Sequence, residues 1–510
     1  MAHEEWLQSV EICASRFNLL RARLRICFRG TFCMVLVALV LRLAVVPFAD
    51  AERLDPKRDH WQFGGETGRI ARSIVQGRGF SSPFWGETGP SALIPPVYPL
   101  LLAGIFRLFG TYSKASALVA LSLNCLFSAL TCLPVFLIAR KGFGERVALA
   151  AGWTWVFFPY AIFFAANLIC PPVLITLLLS LLFLIALHLE ASSRLLPWIG
   201  FGLLYGLAAL TEPVVLSILP ALGIWLCYRL HRRGQRWFLP ATLGALAFFA
   251  VLSPWFLRNY RAFHQVIPFR DGFGLELRVG NNGDTWNWVT PGLHPSDNEA
   301  EWQEYKKVGE IAYIAEKKHQ AVEFIGNHPR WFVVMSLRRA LYMWTNYWSF
   351  DRRYLAQEPF DPPNVFLCTA LTALALAGLW RAFQKGLPVA VPLALVLFFF
   401  PMVYYVTHPQ DYYRRPVDPL FVVLAAFAVA SRSRLGRGPS TMVTETAHPG
   451  LAETSSDSGD ALDHVGRGSE RLDFSFPQQT PDPTCKDSQH QQHLQEFIRQ
   501  HGRPIFDARH

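Results

Sequence analysis

Long apolar runs separated by short polar turns recur along most of the chain. The runs are about 14 to 24 residues long, which brackets the roughly 20 residues that a helix needs to cross the hydrocarbon core of a membrane. The pattern predicts an all-α polytopic membrane protein with about ten transmembrane helices. The predicted spans are residues 31–48, 115–138, 147–166, 171–189, 197–210, 214–230, 238–257, 365–380, 387–406 and 417–430.

Two long polar regions, residues 51–113 and 258–364, interrupt this alternation. In the second region, Ser296 and Glu299 form the Ser-x-x-Glu pattern of a capping box, which predicts a helix that begins at Ser296. Residues 331–347 are apolar but contain adjacent arginines, and a crossing there would invert the orientation of every later span. This segment is therefore predicted to be a helix that lies in the membrane interface.

The first polar region contains a second predicted interfacial helix. Apolar residues repeat at helical spacing over residues 70–75, and Arg69 and Arg72 fall between them. This amphipathic pattern is typical of a helix that lies flat on a membrane surface. Gly77 and Gly79 are predicted to end it.

The basic residues of the short loops set the predicted orientation. If residues 95–110 crossed the membrane, Arg140, Lys141 and Arg146 would face outward, against the positive-inside rule. The segment is therefore predicted to be interfacial or re-entrant. The basic short loops up to residue 236 then fall on the cytoplasmic side, and both long polar regions are external.

This orientation gives three parts: a basic cytoplasmic N-terminus (residues 1–30), a membrane domain (31–432) and a cytoplasmic tail (433–510). The tail is rich in Ser, Asp, Gly, Pro and Gln, a composition that predicts disorder. Arg42 interrupts the first span. It either pairs within the helix bundle or contacts an anionic lipid head group.

Composition excludes several classes of protein. With 52% hydrophobic and 17% charged residues, the chain is too apolar for a soluble protein of this length. The net charge of +10 comes from arginines in short loops, so it indicates membrane orientation and not nucleic-acid binding. The nine cysteines lie mostly in predicted spans and show no metal or disulfide pattern. Nucleotide-binding and nucleophile-elbow motifs are absent from the sequence.

The placement of polar residues favours a membrane enzyme. Nearly all the polar residues of the membrane domain lie in the external regions, whereas charge inside the spans is almost confined to Arg42. A transporter more often has broken helices and polar residues at the midplane of the bilayer. An enzyme that acts on a lipid-borne head group at the outer surface fits this distribution better.

Three motif regions carry a family resemblance. The run E-T-G-R-I-A-R-S-I-V-Q-G-R-G-F-S, followed by G-P-S-A-x-x-P-P-V-Y-P-L-L-L-A-G, lies within residues 63–110, and further matches lie in 254–260 and 407–419. These regions resemble the C-superfamily membrane glycosyltransferases, including the protein O-mannosyltransferase and aminoarabinose transferase branch. The resemblance implies inverting transfer of a sugar from a polyprenyl-phosphate donor to a lipid, glycan or protein acceptor. It further implies an integral protein of the cell (inner) membrane with an external active face.

The resemblance also implies a catalytic role for Glu66. In that family an acidic residue begins the first interfacial helix, and Glu66 matches its position. A carboxylate there can take the proton of an acceptor hydroxyl as this attacks the anomeric carbon. The alternative is that Glu66 only caps its helix or pairs with Arg69, three residues further on.

Four residues are candidates for binding the donor phosphate. Arg258, in SPWFLRNY, resembles a family position, and arginine suits phosphate because its guanidinium can bind two oxygens. Arg414, Arg415 and His408 lie in the predicted external turn THPQDYYRRPVDP. The alternative for all four is that they anchor the chain at the interface beside aromatic residues.

A second acid is harder to identify. Relatives often have an acidic pair or a D-x-x-E pattern at the helix start, where this chain has Phe63 and Gly65. Asp55, Asp59 and Glu87 are the remaining candidates in the first polar region. No clear metal-ligand set is visible, so no metal site is predicted, and a divalent metal cofactor stays an open question.

Two other classes of function stay open. A flippase or transporter of lipid-linked sugars would move the donor lipid without cleaving it. A non-catalytic assembly factor would bind neither donor nor acceptor and would depend on a partner protein.

Overall fold

The computed structural model describes residues 30–48, 63–285 and 290–432. The predictions for the N-terminus before residue 30 and for the tail from residue 433 lie outside these ranges. Within them the regular structure is helical, and the β-pairing that occurs is an isolated antiparallel bridge between Ser81 and Pro90. The α-helices in chain order are α1 Thr31–Val45, α2 Glu66–Val75, α3 Val97–Phe109, α4 Lys114–Leu130, α5 Cys132–Phe143, α6 Glu145–Val156, α7 Pro159–Asn167, α8 Pro172–Leu189, α9 Leu195–Ala209, α10 Leu219–Arg232, α11 Phe238–Phe263, α12 Phe273–Gly280, α13 Glu299–Val308, α14 Glu310–Asn327, α15 Pro329–Thr345, α16 Arg352–Gln357, α17 Asp361–Gln384, α18 Ala390–Phe399, α19 Met402–Val406 and α20 Asp418–Arg432.

The predicted fold class, an all-α polytopic membrane protein, is confirmed. Six helical segments of the described chain are long and apolar enough to cross a membrane, and three shorter apolar helices accompany them. The figure of about ten crossings stays a prediction. The six are Thr31–Phe48, Lys114–Phe143, Glu145–Asn167, Pro172–Leu189, Phe238–Phe263 and Asp361–Gln384, and the shorter ones are Val97–Phe109, Leu195–Ala209 and Ala390–Val406.

The helix bundle packs through close backbone contacts as well as large side chains. Helices α9 and α11 touch along their length, and a β-carbon added to Gly202 would lie only 2.0 Å from the carbonyl oxygen of Gly244. Small residues allow helices to approach this closely, which is how helices associate where the surrounding lipid is as apolar as they are. The apolar core of the bundle runs from Met34 to Phe427.

Helix α11 is longer than predicted. The apolar pattern ends at residue 257, but the helix continues to Phe263. Because the backbone hydrogen bonds continue past the apolar run, Arg258 lies inside the helix instead of in a loop after it. Its side chain therefore projects from a rigid element toward the first polar region.

Helix α2 begins at Glu66, as predicted, and ends at Val75 just before Gly77. It is not the half-exposed helix that its amphipathic pattern predicts, because none of its residues is exposed in this structure. Arg69, expected on a polar surface, is completely buried. Tertiary packing covers both faces of the helix, with α3 on one of them.

The two polar regions form one structural unit, which we call the loop layer (residues 63–96 and 264–361). They share a second apolar core, separate from that of the bundle. This core explains how residues some 200 positions apart in the chain come to lie side by side. Its buried members are Phe84, Leu93, Leu275, Val279, Tyr305, Tyr313, Ile314, Met335, Tyr342, Trp348 and Tyr354.

The predicted capping box at Ser296 is wrong, although the helix that it predicts exists. Helix α13 begins at Glu299, and the side chain of Asn298 caps it by accepting hydrogen bonds from the backbone N–H groups of Ala300 and Glu301, at 2.8 and 3.4 Å. Asparagine is as good an N-cap as serine. The side chain of Ser296 therefore does not cap this helix.

Candidate active site

The backbone before α2 fixes the position of Glu66. Gly64 and Gly65 have φ values of 77° and 55°, a conformation that side chains with a β-carbon rarely adopt. A β-carbon on Gly64 would also lie 2.3 Å from the carbonyl oxygen of Ile169. The glycine pair thus lets the first turn of α2 rest against the bundle backbone, with Glu66 as its first helical residue.

The two parts of the loop layer meet at Glu66. The hydroxyl of Ser296 donates a hydrogen bond to Oε1 of Glu66 at 2.9 Å, although 230 residues separate the two. Ser296 is almost completely buried. The backbone N–H of Ser296 in turn donates to Nδ1 of His294 at 3.2 Å. The carboxylate is therefore held by the second polar region as well as by its own helix.

Asp297 lies beside Ser296 and supplies a second acid near Glu66. Its side chain is only 6% exposed, and its Oδ1 atom is buried without a hydrogen-bond partner among the described residues. Burial raises the pKa of Asp297 to about 7, and the charge of Glu66 also raises it, while Arg69 lowers it. The site thus holds two neighbouring carboxyl groups in different environments.

Arg69 and His294 complete the surroundings of Glu66. The guanidinium of Arg69 stacks over the ring of Trp85 at 4.0 Å and donates to the carbonyl of Pro83 at 3.3 Å. Burial lowers the pKa of Arg69, while the charge of Glu66 raises it. Burial lowers the pKa of His294, while Glu66 and Glu276 act against that shift.

His408 belongs to an adjoining polar group centred on Glu276. The Nε2 atom of His408 lies 2.7 Å from one carboxylate oxygen of Glu276, and Arg270 donates to the other at 2.8 Å. Burial acts against the charge of Glu276, but the hydrogen bond and charge of His408, with Arg270, hold its pKa well below the usual range. The Nδ1 atom of His408 is buried and has no hydrogen-bond partner in the described chain. The charges of Glu66 and Glu276 both raise the pKa of His294, so the two polar groups lie next to each other.

Arg258 holds the glycine-rich loop between α2 and α3. Its guanidinium donates to the carbonyl oxygens of Phe80 and Ser91, the latter at 2.6 Å, and lies over the ring of Trp255 at 5.1 Å. Glu310 holds the same loop from the other side by accepting from the backbone N–H of Ala92 at 2.5 Å. No hydrogen bond or ion pair within the described ranges joins Arg258 to Glu66.

Arg414 and Arg415 share one counter-ion at the start of α20. Each lies 3.0 Å from a different carboxylate oxygen of Asp418, which is almost completely buried. Arg415 also stacks over the ring of Tyr160 at 3.6 Å. Two guanidinium nitrogens, Nη2 of Arg414 and Nε of Arg415, are buried without a hydrogen-bond partner among the residues described.

Of the three predicted second acids, Glu87 is the one that lies among the described residues. Asp55 and Asp59 lie outside the described residues. Glu87 is on the surface, where it pairs with Arg78 at 2.5 Å and keeps 74% of its side chain exposed. No role is predicted for Asp297 from the sequence, because the Ser-x-x-Glu spacing predicts a capping box formed by Ser296 and Glu299. The sequence signal for Asp297 is the polar run His-Pro-Ser-Asp-Asn just before a helix. A helix N-cap uses one polar side chain, so this run contains more polar groups than the cap requires.

The described part of the chain contains no group of three or more His, Cys, Asp or Glu side chains arranged to hold a metal ion. Glu66, Asp297 and His294 lie near one another but are not among such groups. The site is therefore best described by its hydrogen bonds and carboxyl groups, and whether the protein uses a metal cofactor stays open.

Comparison with protein families supports the motif resemblance for part of the chain. Residues 94–257 match the model of the dolichyl-phosphate-mannose-protein mannosyltransferase family. This match confirms the resemblance to the C-superfamily glycosyltransferases over α3 to α11. Glu66 and the second polar region lie outside the matched residues. The comparison with curated protein sequences gave no match.

Solved structures that match this chain include two from an archaeon and one from a bacterium. The oligosaccharyltransferase of Archaeoglobus fulgidus in complex with Zn and sulfate matches with 13% identity over 79% of this chain and 49% of that chain, with a TM-score of 0.44. AglB of the same organism, with an inhibitory peptide and dolichol-phosphate, matches with 14% identity, coverage of 82% and 52%, and a TM-score of 0.46. The chain thus spans about half the length of these archaeal enzymes.

ArnT from Cupriavidus metallidurans bound to undecaprenyl phosphate is closer in length. The match covers 79% of this chain and 78% of that chain, with 14% identity and a TM-score of 0.32. Likeness at this level says nothing about activity.

Proposed function

We propose that this protein is a membrane glycosyltransferase that moves a sugar from a polyprenyl-phosphate donor to a hydroxyl-bearing acceptor, with inversion at the anomeric carbon. The observation that carries the proposal is Glu66, held by Ser296 as the first residue of α2. The match of residues 94–257 to a mannosyltransferase family supports the choice of reaction.

The proposed chemistry requires one base and one leaving group. Glu66 takes the proton of the acceptor hydroxyl while the acceptor oxygen forms a bond to the anomeric carbon. The bond between that carbon and the phosphate oxygen breaks, and the polyprenyl phosphate leaves with the electron pair. Ser296 keeps the carboxylate in place through its hydrogen bond to Oε1. A fixed base contributes more to the rate than a mobile one.

Arg414, Arg415 and His408 are the proposed phosphate ligands, with Arg258 in support. Nη2 of Arg414, Nε of Arg415 and Nδ1 of His408 have no protein partner among the described residues, so they can donate to phosphate oxygens. Arg258 already uses its guanidinium on the carbonyls of Phe80 and Ser91. Its proposed contribution is to hold the loop beside the donor.

We further propose that residues 31–432 form the catalytic membrane domain, that residues 51–113 and 258–364 face the outside of the cell (inner) membrane, and that the N-terminus and tail are cytoplasmic. The positive-inside distribution of arginines supports this orientation. A donor on a polyprenyl lipid would then reach the loop layer from the outer leaflet.

The direct test is sugar transfer by the purified full-length protein. Labelled sugar on dolichyl phosphate or undecaprenyl phosphate, the carrier lipids whose phosphates the similar structures bind, is supplied with membrane extracts as acceptors. We expect Glu66→Gln to lower the transfer rate by about 10² to 10⁴-fold, because the amide cannot accept the proton. The amide can still accept the hydrogen bond of Ser296, so the melting temperature should stay close to that of the wild type.

Glu299→Gln is the matched control, because Glu299 is likewise the first residue of its helix but is exposed. It should transfer sugar at the wild-type rate. Full transfer by Glu66→Gln would remove the proposed base. Movement of labelled lipid between leaflets without loss of its sugar, unaffected by Glu66→Gln, would instead identify a flippase.

A further inference from the structure

The turn over residues 294–298 divides its polar side chains among distinct partners. His294 accepts from the backbone of Ser296, Ser296 donates to Glu66, and Asn298 caps α13. The carboxyl group of Asp297 has none of these tasks, although aspartate often serves as a cap or turn residue. Asp297 contributes only its backbone N–H, which donates to the carbonyl of His294 at 2.9 Å.

Asp297 is nevertheless buried. It is 6% exposed, and Oδ1 has no hydrogen-bond partner among the described residues. Burying a carboxyl oxygen without a hydrogen bond is unfavourable, so such a group is uncommon unless a ligand completes it. Its position beside Glu66 and Arg69 puts the unsatisfied oxygen next to the proposed base.

We infer that Asp297 is a specificity residue that binds a hydroxyl group of the donor sugar through its carboxyl oxygens. The inference rests on the proposed function. A sugar offers hydroxyl groups close to its anomeric carbon, and the acceptor hydroxyl that attacks this carbon must contact Glu66. A neighbouring carboxyl is therefore well placed to contact the sugar itself. The phosphate is a poor partner for Asp297, because it is an anion and the site already contains Glu66.

The charges around Asp297 favour a hydroxyl ligand. Glu66 and Arg69 face it from α2, and His294 lies in its own turn. With a pKa of about 7, raised by burial and by Glu66, the carboxyl is present in both forms at neutral pH. The ionised form accepts two hydrogen bonds and the neutral form can also donate one, so either suits a hydroxyl group.

The test separates sugar recognition from lipid recognition. Full-length protein in nanodiscs is titrated with dolichyl-phosphate mannose and, separately, with dolichyl phosphate that lacks the sugar. We expect the wild type to prefer the sugar-bearing lipid, and Asp297→Ala to lose about tenfold in affinity for that lipid alone, which is the effect of about one lost hydrogen bond. Asp297→Asn should keep part of the preference, since its amide still has an acceptor oxygen.

Asp284→Ala, at an exposed position of the same region, is the control and should bind both lipids as the wild type does. Both Asp297 variants should melt no earlier than the wild type, because they remove an unsatisfied buried carboxyl. Equal loss for both lipids, earlier melting of both variants, or no sugar preference in the wild type would overturn the inference. A wild type that binds neither lipid would instead contradict the proposed function.

Discussion

Arg42 and Asp297 are both buried ionisable residues, and the difference between their surroundings separates the bundle from the loop layer. Arg42 is completely buried between α1, α4 and α6. Its Nε donates to Ser128 at 2.8 Å, its Nη1 to Ala38 and Val156 at 3.1 Å, and its Nη2 to Trp155 at 3.0 Å. Asp297 keeps a buried oxygen without such a partner in the described chain.

The bundle uses the buried guanidinium of Arg42 to satisfy its own backbone, whereas the loop layer contains a buried carboxyl oxygen without such a use among the described residues. Trp155 and Val156 lie at the end of α6, where the last carbonyls have no partners within the helix. Arg42 donates to both, and the carbonyl of Trp155 also accepts from the backbone N–H of Phe158 at 3.3 Å. Of the two alternatives for Arg42, the structure therefore has pairing within the bundle. In the loop layer, by contrast, Oδ1 of Asp297 has no hydrogen-bond partner among the described residues, and neither does Nδ1 of His408, which contacts Glu276 of that layer.

The largest effect on stability is expected at Arg42. Arg42→Leu removes the side-chain donor to the carbonyls of Trp155 and Val156 and leaves that of Val156 without another donor among the described residues, at a cost of about 1 to 3 kcal/mol for an unsatisfied group. We expect a loss of about 3 kcal/mol in the free energy of unfolding in detergent, seen as a lower melting temperature. Arg42→Lys, which keeps one donor group, should have a melting temperature between those of Arg42→Leu and the wild type. A variant as stable as the wild type would show that the carbonyls have other partners.

A stability effect of similar size, which depends on pH, is expected at Glu310. Burial raises the pKa of Glu310 to about 7 from the ordinary glutamate value of 4.5, although Ser91, Tyr305 and Ala92 lower it through hydrogen bonds. The folded state therefore binds the proton more tightly than the unfolded state. The free energy of unfolding should fall as pH rises between those two values, by up to about 3 kcal/mol, and should level off above pH 7.

Glu310→Gln should remove this part of the pH dependence. The comparison of melting temperatures at about pH 5 and about pH 8 then shows a smaller drop for the variant than for the wild type. Glu299→Gln, at an exposed position, should keep the wild-type drop. Identical slopes for Glu310→Gln and the wild type would mean that Glu310 does not hold the proton.

The smallest effect is expected at Glu87, the exposed partner of Arg78. An ion pair on the surface contributes about 0 to 1 kcal/mol and is screened by salt. Glu87→Gln should therefore change the melting temperature little, and less still at high salt, while sugar transfer continues at the wild-type rate. A loss of transfer comparable to that of Glu66→Gln would make Glu87, instead of Asp297, the second acid.

Much of the bundle could be predicted from the sequence because hydrophobic length is a local property. The apolar runs at 147–166 and 171–189 match the helical segments Glu145–Asn167 and Pro172–Leu189 to within a few residues. The start of α2 at Glu66 and its end before Gly77 could likewise be predicted from local residues. The end of α11 could not be predicted in this way, because a helix stabilised by tertiary contacts can continue beyond its apolar run.

The helical membrane fold, the two polar regions and the start of a helix at Glu66 follow from local features of the sequence. The set of side chains around the Glu66 carboxylate depends on tertiary packing. Ser296 and Asp297 reach Glu66 because a shared apolar core brings together regions some 230 residues apart, and no periodic pattern encodes such a contact. The same packing brings Arg258 within hydrogen-bonding distance of two backbone carbonyls and buries an oxygen of Asp297 without a hydrogen-bond partner among the described residues. Burial makes each unpaired polar atom costly, so such an atom depends on the tertiary structure and cannot be predicted from a local pattern.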